Sequence, residues 1–133
     1  MAAMYDKILV SLRTPIIKYG ERTLQQAIDI TKTFGGKLFI LHIQQEGGYF
    51  ESIQKETEGI VKRMAPDLDF EVIVTSGDLI DCMTGAIRDN KINLVVIGAR
   101  RRGALDSLLD GIVDIDFSGE IIKKIPCSMI IIK

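Results

Sequence analysis

In Leu94-Val95-Val96-Ile97 four apolar residues follow one another, and most of them are β-branched. A run this short and this rich in β-branched side chains predicts a strand that is buried on both of its faces. Comparable runs occur at 8–12, 38–43, 70–74 and 129–132. Strands that are apolar on both faces are typical of a parallel sheet, because helices cover such a sheet on both sides.

The segments between these runs show the spacing of amphipathic helices. Gly35-Gly36 ends the first helical segment, and Pro66 ends the second. Strands that alternate with helices predict βαβ units with right-handed crossovers. We therefore expect a single α/β domain over residues 1–133, without a linker. The positions that carry the helical spacing are Leu24, Ala27, Ile28 and Ile30, then Phe50, Ile53, Ile60, Val61 and Met64, then Leu79, Met83 and Ile87.

Composition excludes several classes of protein. The 133 residues include 17 Lys and Arg against 18 Asp and Glu, and this balance argues against a general nucleic-acid binder. No apolar run approaches the roughly 20 residues that cross a bilayer, and the first residues lack the pattern of a signal peptide. The two cysteines, Cys82 and Cys127, are unpatterned, so we expect no disulfide framework, no metal site and a cytoplasmic protein.

Several short motifs follow one another along nearly the whole chain, and together they resemble universal stress protein domains. The resemblance implies a flavodoxin-like open sheet of five parallel strands in the order 3-2-1-4-5, with helices on both faces. It also implies a regulatory protein of the stress response that is usually a homodimer, and some members bind ATP. The motifs are Ile8-Leu9-Val10, Leu41-His42-Ile43, Gly77-Asp78, Asn93 to Gly98, and Ile125-Pro126-Cys127-Ser128-Met129-Ile130-Ile131.

The chain departs from the ATP-binding members at two places. Those members have an Asp after the first strand, where this chain has Arg13. They also have a G-x2-G-x9-G-S/T loop after the fourth strand. Gly98 and Gly111 match its first and third glycines, but Arg101 replaces the second and Ile112 replaces the hydroxyl residue.

A second way of counting the loop starts from the family's last helix. Ser118 onwards matches that helix without a gap, and about four extra residues then lie within the loop. By either count the phosphate-binding pattern is broken. A side chain at position 101 restricts positive φ and adds bulk where backbone N–H groups must converge on phosphate. We therefore expect ATP to bind weakly or not at all, and no cofactor.

Arginines are concentrated where an open α/β sheet binds its ligand. In the implied fold Arg100, Arg101 and Arg102 follow the fourth strand and Arg13 follows the first, at the point where the strand order reverses. Guanidinium groups there would replace the lost backbone contacts with bidentate contacts to a small anion. The alternative is a solvated or internally paired arginine run. The candidate ligand-binding residues are Leu12, Arg13, Ile43, Gly98, Arg100, Arg101, Arg102, Gly111 and Ser118.

The segment 104–114 has the pattern of an inserted amphipathic helix. Asp106, Asp110 and Asp114 are spaced by four and so share one face, whereas leucines occupy another. The acidic face either pairs with the three arginines, in competition with an anionic ligand, or the leucines contact a partner. Its charge argues against binding to an anionic membrane.

Three further features have simpler interpretations. His42 lies within a buried strand with no catalytic partner next to it in the sequence, so we assign it a structural role. The cysteines lack a neighbouring base and are expected to pack. The last strand is apolar and lies at a sheet edge, which favours a homodimer. The expected interface residues are Met129, Ile130, Ile131 and Ile132.

Three functions fit these observations. The first is a regulatory, ligand-binding module of the universal stress protein type that takes a small anionic ligand. The second is an ATP-binding member with slow nucleotide hydrolase activity, although no base with a matched nucleophile is present. The third is a ligand-free interaction domain, related to the domains attached to some membrane transporters. The fold alone does not decide among them.

Overall fold

The computed structural model describes residues 4–12, 20–44, 49–98 and 123–132. Strands and helices alternate there as the apolar pattern predicts. None of the helices in these ranges is long and apolar enough to cross a membrane. The elements are β1 (Lys7–Leu12), α1 (Glu21–Phe34), β2 (Lys37–Gln44), α2 (Phe50–Met64), β3 (Phe70–Ser76), α3 (Leu79–Asn90), β4 (Leu94–Gly98) and β5 (Ser128–Ile132).

The five strands form one sheet in the order β3-β2-β1-β4-β5, and all neighbours are parallel. This confirms the flavodoxin-like α/β fold and its strand order. Val10 of β1 lies between Ile40 of β2 and Val96 of β4. Strand β1 is therefore central, and β3 and β5 are the two edge strands.

The core has two layers, one on each face of the sheet. Ile8 and Val10 point into the layer that includes Leu24 and Ile28 of α1, together with side chains of α2. The intervening Leu9 points into the layer that contains α3. All five of these side chains are fully buried. Successive side chains of a strand point to opposite faces of the sheet. Because helices cover both faces here, successive positions in the middle of the central strand have to be apolar.

The turn after α1 requires glycine for two different reasons. Gly35 has φ of 68°, and the N–H groups of Gly35 and Gly36 donate to the carbonyls of Lys32 and Thr31, which is a Schellman ending. A Cβ on Gly36 would lie 2.7 Å from the carbonyl oxygen of Asp6. The helix can therefore return directly into β2, which starts beside β1.

The amino ends of β1 and β4 are joined by the side chain of Asn93. Its Oδ1 accepts from the N–H of Lys7 at 3.2 Å, and its Nδ2 donates to Oδ1 of Asp6 at 2.7 Å. The backbone N–H of Asn93 donates to the carbonyl of Lys7 at 2.9 Å. Asn93 therefore fixes the register of the two central strands before the first ladder pair, Ile8 with Leu94.

Candidate functional site

The carboxyl ends of β1 and β4 lie side by side and form the floor of the candidate site. Val10 pairs with Val96, so Leu12 and Gly98, each two residues further on, end their strands at the same level. From β1 the chain proceeds to β2 on one side, and from β4 to β5 on the other. Such a reversal of strand order opens a crevice at the carboxyl edge, and open α/β sheets bind ligands there.

Gly98 and Thr23 are in close contact at this edge. A Cβ on residue 98 would overlap Oγ1 of Thr23 and would lie 3.3 Å from its Cγ2 and 3.4 Å from its Cβ. The absence of a side chain at 98 therefore lets the first turn of α1 approach the end of β4. Close approach of backbone to a neighbouring element is one of the specific uses of glycine.

The first turn of α1 presents hydrogen-bond donors at the same edge. Its N-cap, Gly20, has no side chain to accept from the helix, and the first helical bond runs from the N–H of Leu24 to the carbonyl of Gly20 at 2.8 Å. Within the described part of the chain, the hydroxyl of Thr23 has no hydrogen-bond partner. The N–H groups of a first helical turn have no partner within the helix, and they carry a positive partial charge; Glu21 in the same turn opposes that charge.

The start of α3 is different, because the protein caps it itself. Oδ2 of Asp78 accepts from the N–H of Asp81 at 3.1 Å, and Gly77, with φ of 125°, provides the turn that precedes it. The Gly77-Asp78 motif thus has a structural role, because it makes the turn from β3 and caps the start of α3. Of these two helix starts, only that of α3 has a side-chain cap among the described residues.

The residues predicted from sequence fall into two groups. Leu12 is only 3% exposed, so its side chain belongs to the core. Ile43 is half-buried and packs against the layer under α3, whereas Gly98 is exposed. Leu12, Ile43 and Gly98 therefore lie at one edge of the sheet, and their role in binding a ligand stays a prediction. Arg13, Arg100, Arg101, Arg102, Gly111, Ser118 and the segment 104–114 lie outside the described residues.

Sequence analysis missed Thr23 as a residue of the site. Its position could have indicated this, because Thr23 lies in the first turn of the helix that follows β1, and β1 is one of the two strands between which the strand order reverses. Thr23 and Gly98 are far apart along the chain, and the sequence pattern does not show that they are in contact in the folded protein.

His42 is buried at the carboxyl half of β2 and is 1% exposed. Burial lowers the pKa of His42 from its ordinary value of 6.5, and the nearby charge of Glu56 on α2 opposes that shift without overcoming it. The imidazole is therefore neutral at pH 7. This charge belongs to a residue of α2, so the sequence around His42 gave no sign of it.

The two cysteines are half-buried free thiols that pack against the layer under α3. Sγ of Cys82 donates to the carbonyl of Ser76 at 3.5 Å, and burial raises the pKa of the Cys127 thiol. Among the described residues there is no group of three His, Cys, Asp or Glu side chains that would hold a metal.

The predicted interface strand lies at the sheet edge beyond β4. Val95 and Ile97 of β4 pair with Met129 and Ile131 of β5. Ile131 is 40% exposed, which is unusual for an isoleucine in a strand. Ile132 is buried, and Ile130 packs against the layer under α1.

A parallel sheet that helices cover on both faces, with a reversal of the strand order between β1 and β4, defines the doubly wound class of α/β folds. The family model for the universal stress protein family matches residues 4–133. The chain belongs to this family, as its sequence motifs indicated. No curated protein matches the chain.

Solved structures of universal stress proteins share the fold. One from Archaeoglobus fulgidus DSM 4304 is 21% identical with a TM-score of 0.72, and the match covers 96% of this chain and 44% of that one. This chain thus spans less than half the length of that relative. A universal stress protein in complex with cAMP is 17% identical, with a TM-score of 0.70 and 96% of each chain covered. A family member from Arabidopsis thaliana with AMP bound is 15% identical, with a TM-score of 0.65, covering 96% of this chain and 91% of that one.

Proposed function

We propose that the protein is a regulatory module that binds a small phosphate-bearing ligand of the nucleoside monophosphate class at the carboxyl edge of β1 and β4. The observation that carries this proposal is the contact of Thr23 with Gly98. It brings the first turn of α1, whose N-cap is a glycine, and a hydroxyl donor to the point where the strand order reverses. Backbone N–H groups and a hydroxyl at a helix start are well suited to phosphate.

The class of ligand is supported by two relatives with the same fold, whose structures contain cAMP and AMP. A single phosphate needs fewer donors than the triphosphate of ATP. ATP-binding members have a glycine where this chain has Arg101, and the larger side chain takes the space in which backbone N–H groups approach phosphate. They also have a hydroxyl residue where this chain has Ile112, so one phosphate donor is lost. We therefore favour a monophosphate over ATP, and we propose no hydrolase activity.

We further propose that the protein is a homodimer that pairs through β5. Ile131 leaves apolar surface at the edge of the sheet, and a second copy of the strand would cover that surface and extend the sheet by backbone pairing. The free thiols of Cys82 and Cys127 fit a reducing compartment, and we place the protein in the cytoplasm on that basis.

The test of the ligand is mass spectrometry of small molecules released by denaturing freshly purified protein. The proposal predicts a nucleoside monophosphate or cyclic monophosphate in the released fraction, or its uptake after incubation with AMP and cAMP. Release or uptake of ATP alone would overturn the preference for a monophosphate. Failure to take up any phosphate-bearing molecule would support the interaction domain instead.

A further inference from the structure

The start of α2 carries two neighbouring aromatic side chains that are exposed. Tyr49, the N-cap of the helix, is 81% exposed, and Phe50 is 43% exposed. Of the aromatic residues that the structure describes, these two are the exposed ones. Single apolar residues are common on protein surfaces, whereas adjacent exposed rings indicate a surface that contacts something else. We call Tyr49 and Phe50 the aromatic pair.

Phe50 is exposed although it lies on the side of α2 that meets the sheet. Thr57 and Val61 follow it at helical spacing, so the three side chains share one face of the helix. Thr57 is 1% exposed and Val61 is fully buried. The same face is thus covered further along the helix and uncovered at its first turn. The first turn therefore extends past the covered part of the sheet, and it brings the aromatic pair with it.

The aromatic pair lies at the same edge of the sheet as the candidate site. Because all five strands are parallel, α1 and α2 both run back from the carboxyl edge and so both start there. The two helices cover the same face, since Ile28 of α1 and Val61 of α2 belong to one core layer. The start of α1 contacts the end of β4 through Thr23, whereas α2 packs on β3. The ends of β1 and β2 lie between the two helix starts.

The separation of the two helix starts suits a nucleotide. Neighbouring strands are about 4.8 Å apart, so the ends of β1 and β2 together span about 10 Å. Helices packed side by side have a similar separation of about 8–10 Å between their axes. A nucleoside monophosphate carries its phosphate and its base on opposite sides of one ribose. With the phosphate at Thr23, the base therefore comes within reach of the ring of Tyr49.

The surface at the start of α2 suits a base better than a phosphate. Glu51 and Lys55 form an ion pair beside the aromatic pair, with Oε1 and Nζ 3.3 Å apart, so their charges offset each other. The N-cap of α2 is a large aromatic side chain, whereas that of α1 is Gly20, which leaves space next to the helix start. Flat, uncharged bases stack on aromatic rings, and stacking stabilises binding without any ionic contact.

We propose that the aromatic pair is the base-binding part of the ligand site, and that the base of a nucleoside monophosphate stacks on Tyr49 and Phe50. This inference rests on the proposed function and adds to it the residues that select for the base. Stacking is stronger for a purine than for the smaller pyrimidine ring. The protein therefore prefers AMP to UMP.

Calorimetric titration with AMP and with ribose phosphate, which lacks the base, tests the aromatic pair. Tyr49→Leu/Phe50→Leu removes both rings and should weaken AMP binding about tenfold, which is the order of effect of one stacked base. It should leave the affinity for ribose phosphate unchanged. Tyr49→Phe/Phe50→Tyr is the matched control, because it keeps both rings and should bind AMP as the parent does. Equal AMP affinity of the leucine variant and the parent would overturn the proposal, as would an equal loss for both ligands.

A single variant keeps the test decisive if the double leucine variant does not fold. Tyr49 is 81% exposed, so Tyr49→Leu removes no core contact. The parent should bind AMP more tightly than UMP, and Tyr49→Leu should reduce that preference; an unchanged preference would count against stacking. A parent that binds AMP and ribose phosphate equally would refute the aromatic pair alone. A parent that binds neither of them would refute the proposed function itself.

Discussion

Oγ1 of Thr23 occupies the position that a Cβ on residue 98 would need. The first turn of α1 therefore contacts the end of β4 directly, without an intervening side chain. This contact sets the shape of the carboxyl edge at the point where the strand order reverses.

The first prediction concerns this contact. Gly98→Ala should lower the free energy of unfolding by about 1–3 kcal/mol, because the added methyl group overpacks against Thr23. In a Thr23→Ala background the cost should shrink, since Oγ1 and Cγ2 are gone. Denaturant unfolding of the four proteins in a double-mutant cycle measures the coupling.

Gly59→Ala provides the control for that cycle. Gly59 lies inside α2, and its nearest heavy atom to an added Cβ is an arginine nitrogen at 3.9 Å. Alanine should stabilise there by about 1 kcal/mol through helix propensity. Additive effects of the changes at 23 and 98 would show that the close contact is absent in solution.

The second prediction concerns the end of α3. Lys91 adopts φ of 55°, and its N–H and that of Ile92 donate to the carbonyl of Ile87. Glycine adopts this left-handed conformation without the strain of a side chain, so Lys91→Gly should raise the free energy of unfolding by about 0.5–1 kcal/mol. Lys62→Gly, within α2, should lower it by a similar amount. Thermal or urea unfolding compares the two, and destabilisation by both would refute the prediction.

The third prediction concerns the polar junction at the amino ends of β1 and β4. Asn93→Asp replaces the Nδ2 donor with a carboxylate beside that of Asp6, which is 2.7 Å away. We expect a loss of about 1 kcal/mol from the missing bond and the repulsion of like charges. The double variant Asp6→Asn/Asn93→Asp restores one amide and one carboxylate and should recover most of the stability. No recovery in urea unfolding would show that the two side chains act independently.

The fourth prediction concerns the sheet edge. Ile131→Lys places a charge on the apolar surface of β5 and should convert the proposed dimer into a monomer in light-scattering or sedimentation measurements. Phe50→Lys is the matched control, since Phe50 is similarly exposed but lies on α2, and it should leave the dimer intact. A dimer that survives Ile131→Lys would place the interface elsewhere.

Sequence patterns predicted the strands and helices well because their cause is local. Leu94-Val95-Val96-Ile97 is apolar on both faces, and a strand with that pattern is stable only when both faces are covered. The strand order came from the resemblance to a family, since apolar runs alone do not specify which strands are neighbours. The Gly35-Gly36 ending was also predictable, because left-handed helix ends favour glycine.

The candidate site was predictable only in part. Gly98 was recognised as a motif residue, but the reason for glycine there is Thr23, which comes from a different segment. The charge beside His42 likewise comes from α2, at a position that no strand pattern identifies. Contacts between elements that are distant along the chain depend on packing geometry, which a one-dimensional pattern does not contain.

The proposed ligand site is tested most directly by calorimetric titration of the protein, Thr23→Val and Thr33→Val with AMP and with Mg·ATP. Valine keeps the shape of threonine and removes its hydroxyl. Thr33 lies at the far end of α1 and donates to the carbonyl of Asp29, so it controls for the change in helix propensity.

We predict that the parent protein binds AMP with a Kd below about 1 mM. Thr23→Val should weaken AMP binding about tenfold or more, because a hydrogen bond to a charged phosphate is lost. Thr33→Val should leave AMP binding unchanged. We also predict weaker binding of ATP than of AMP. Equal AMP affinity of the parent protein and Thr23→Val, or an ATP Kd near 1 μM, about −8 kcal/mol, would contradict the proposed ligand site.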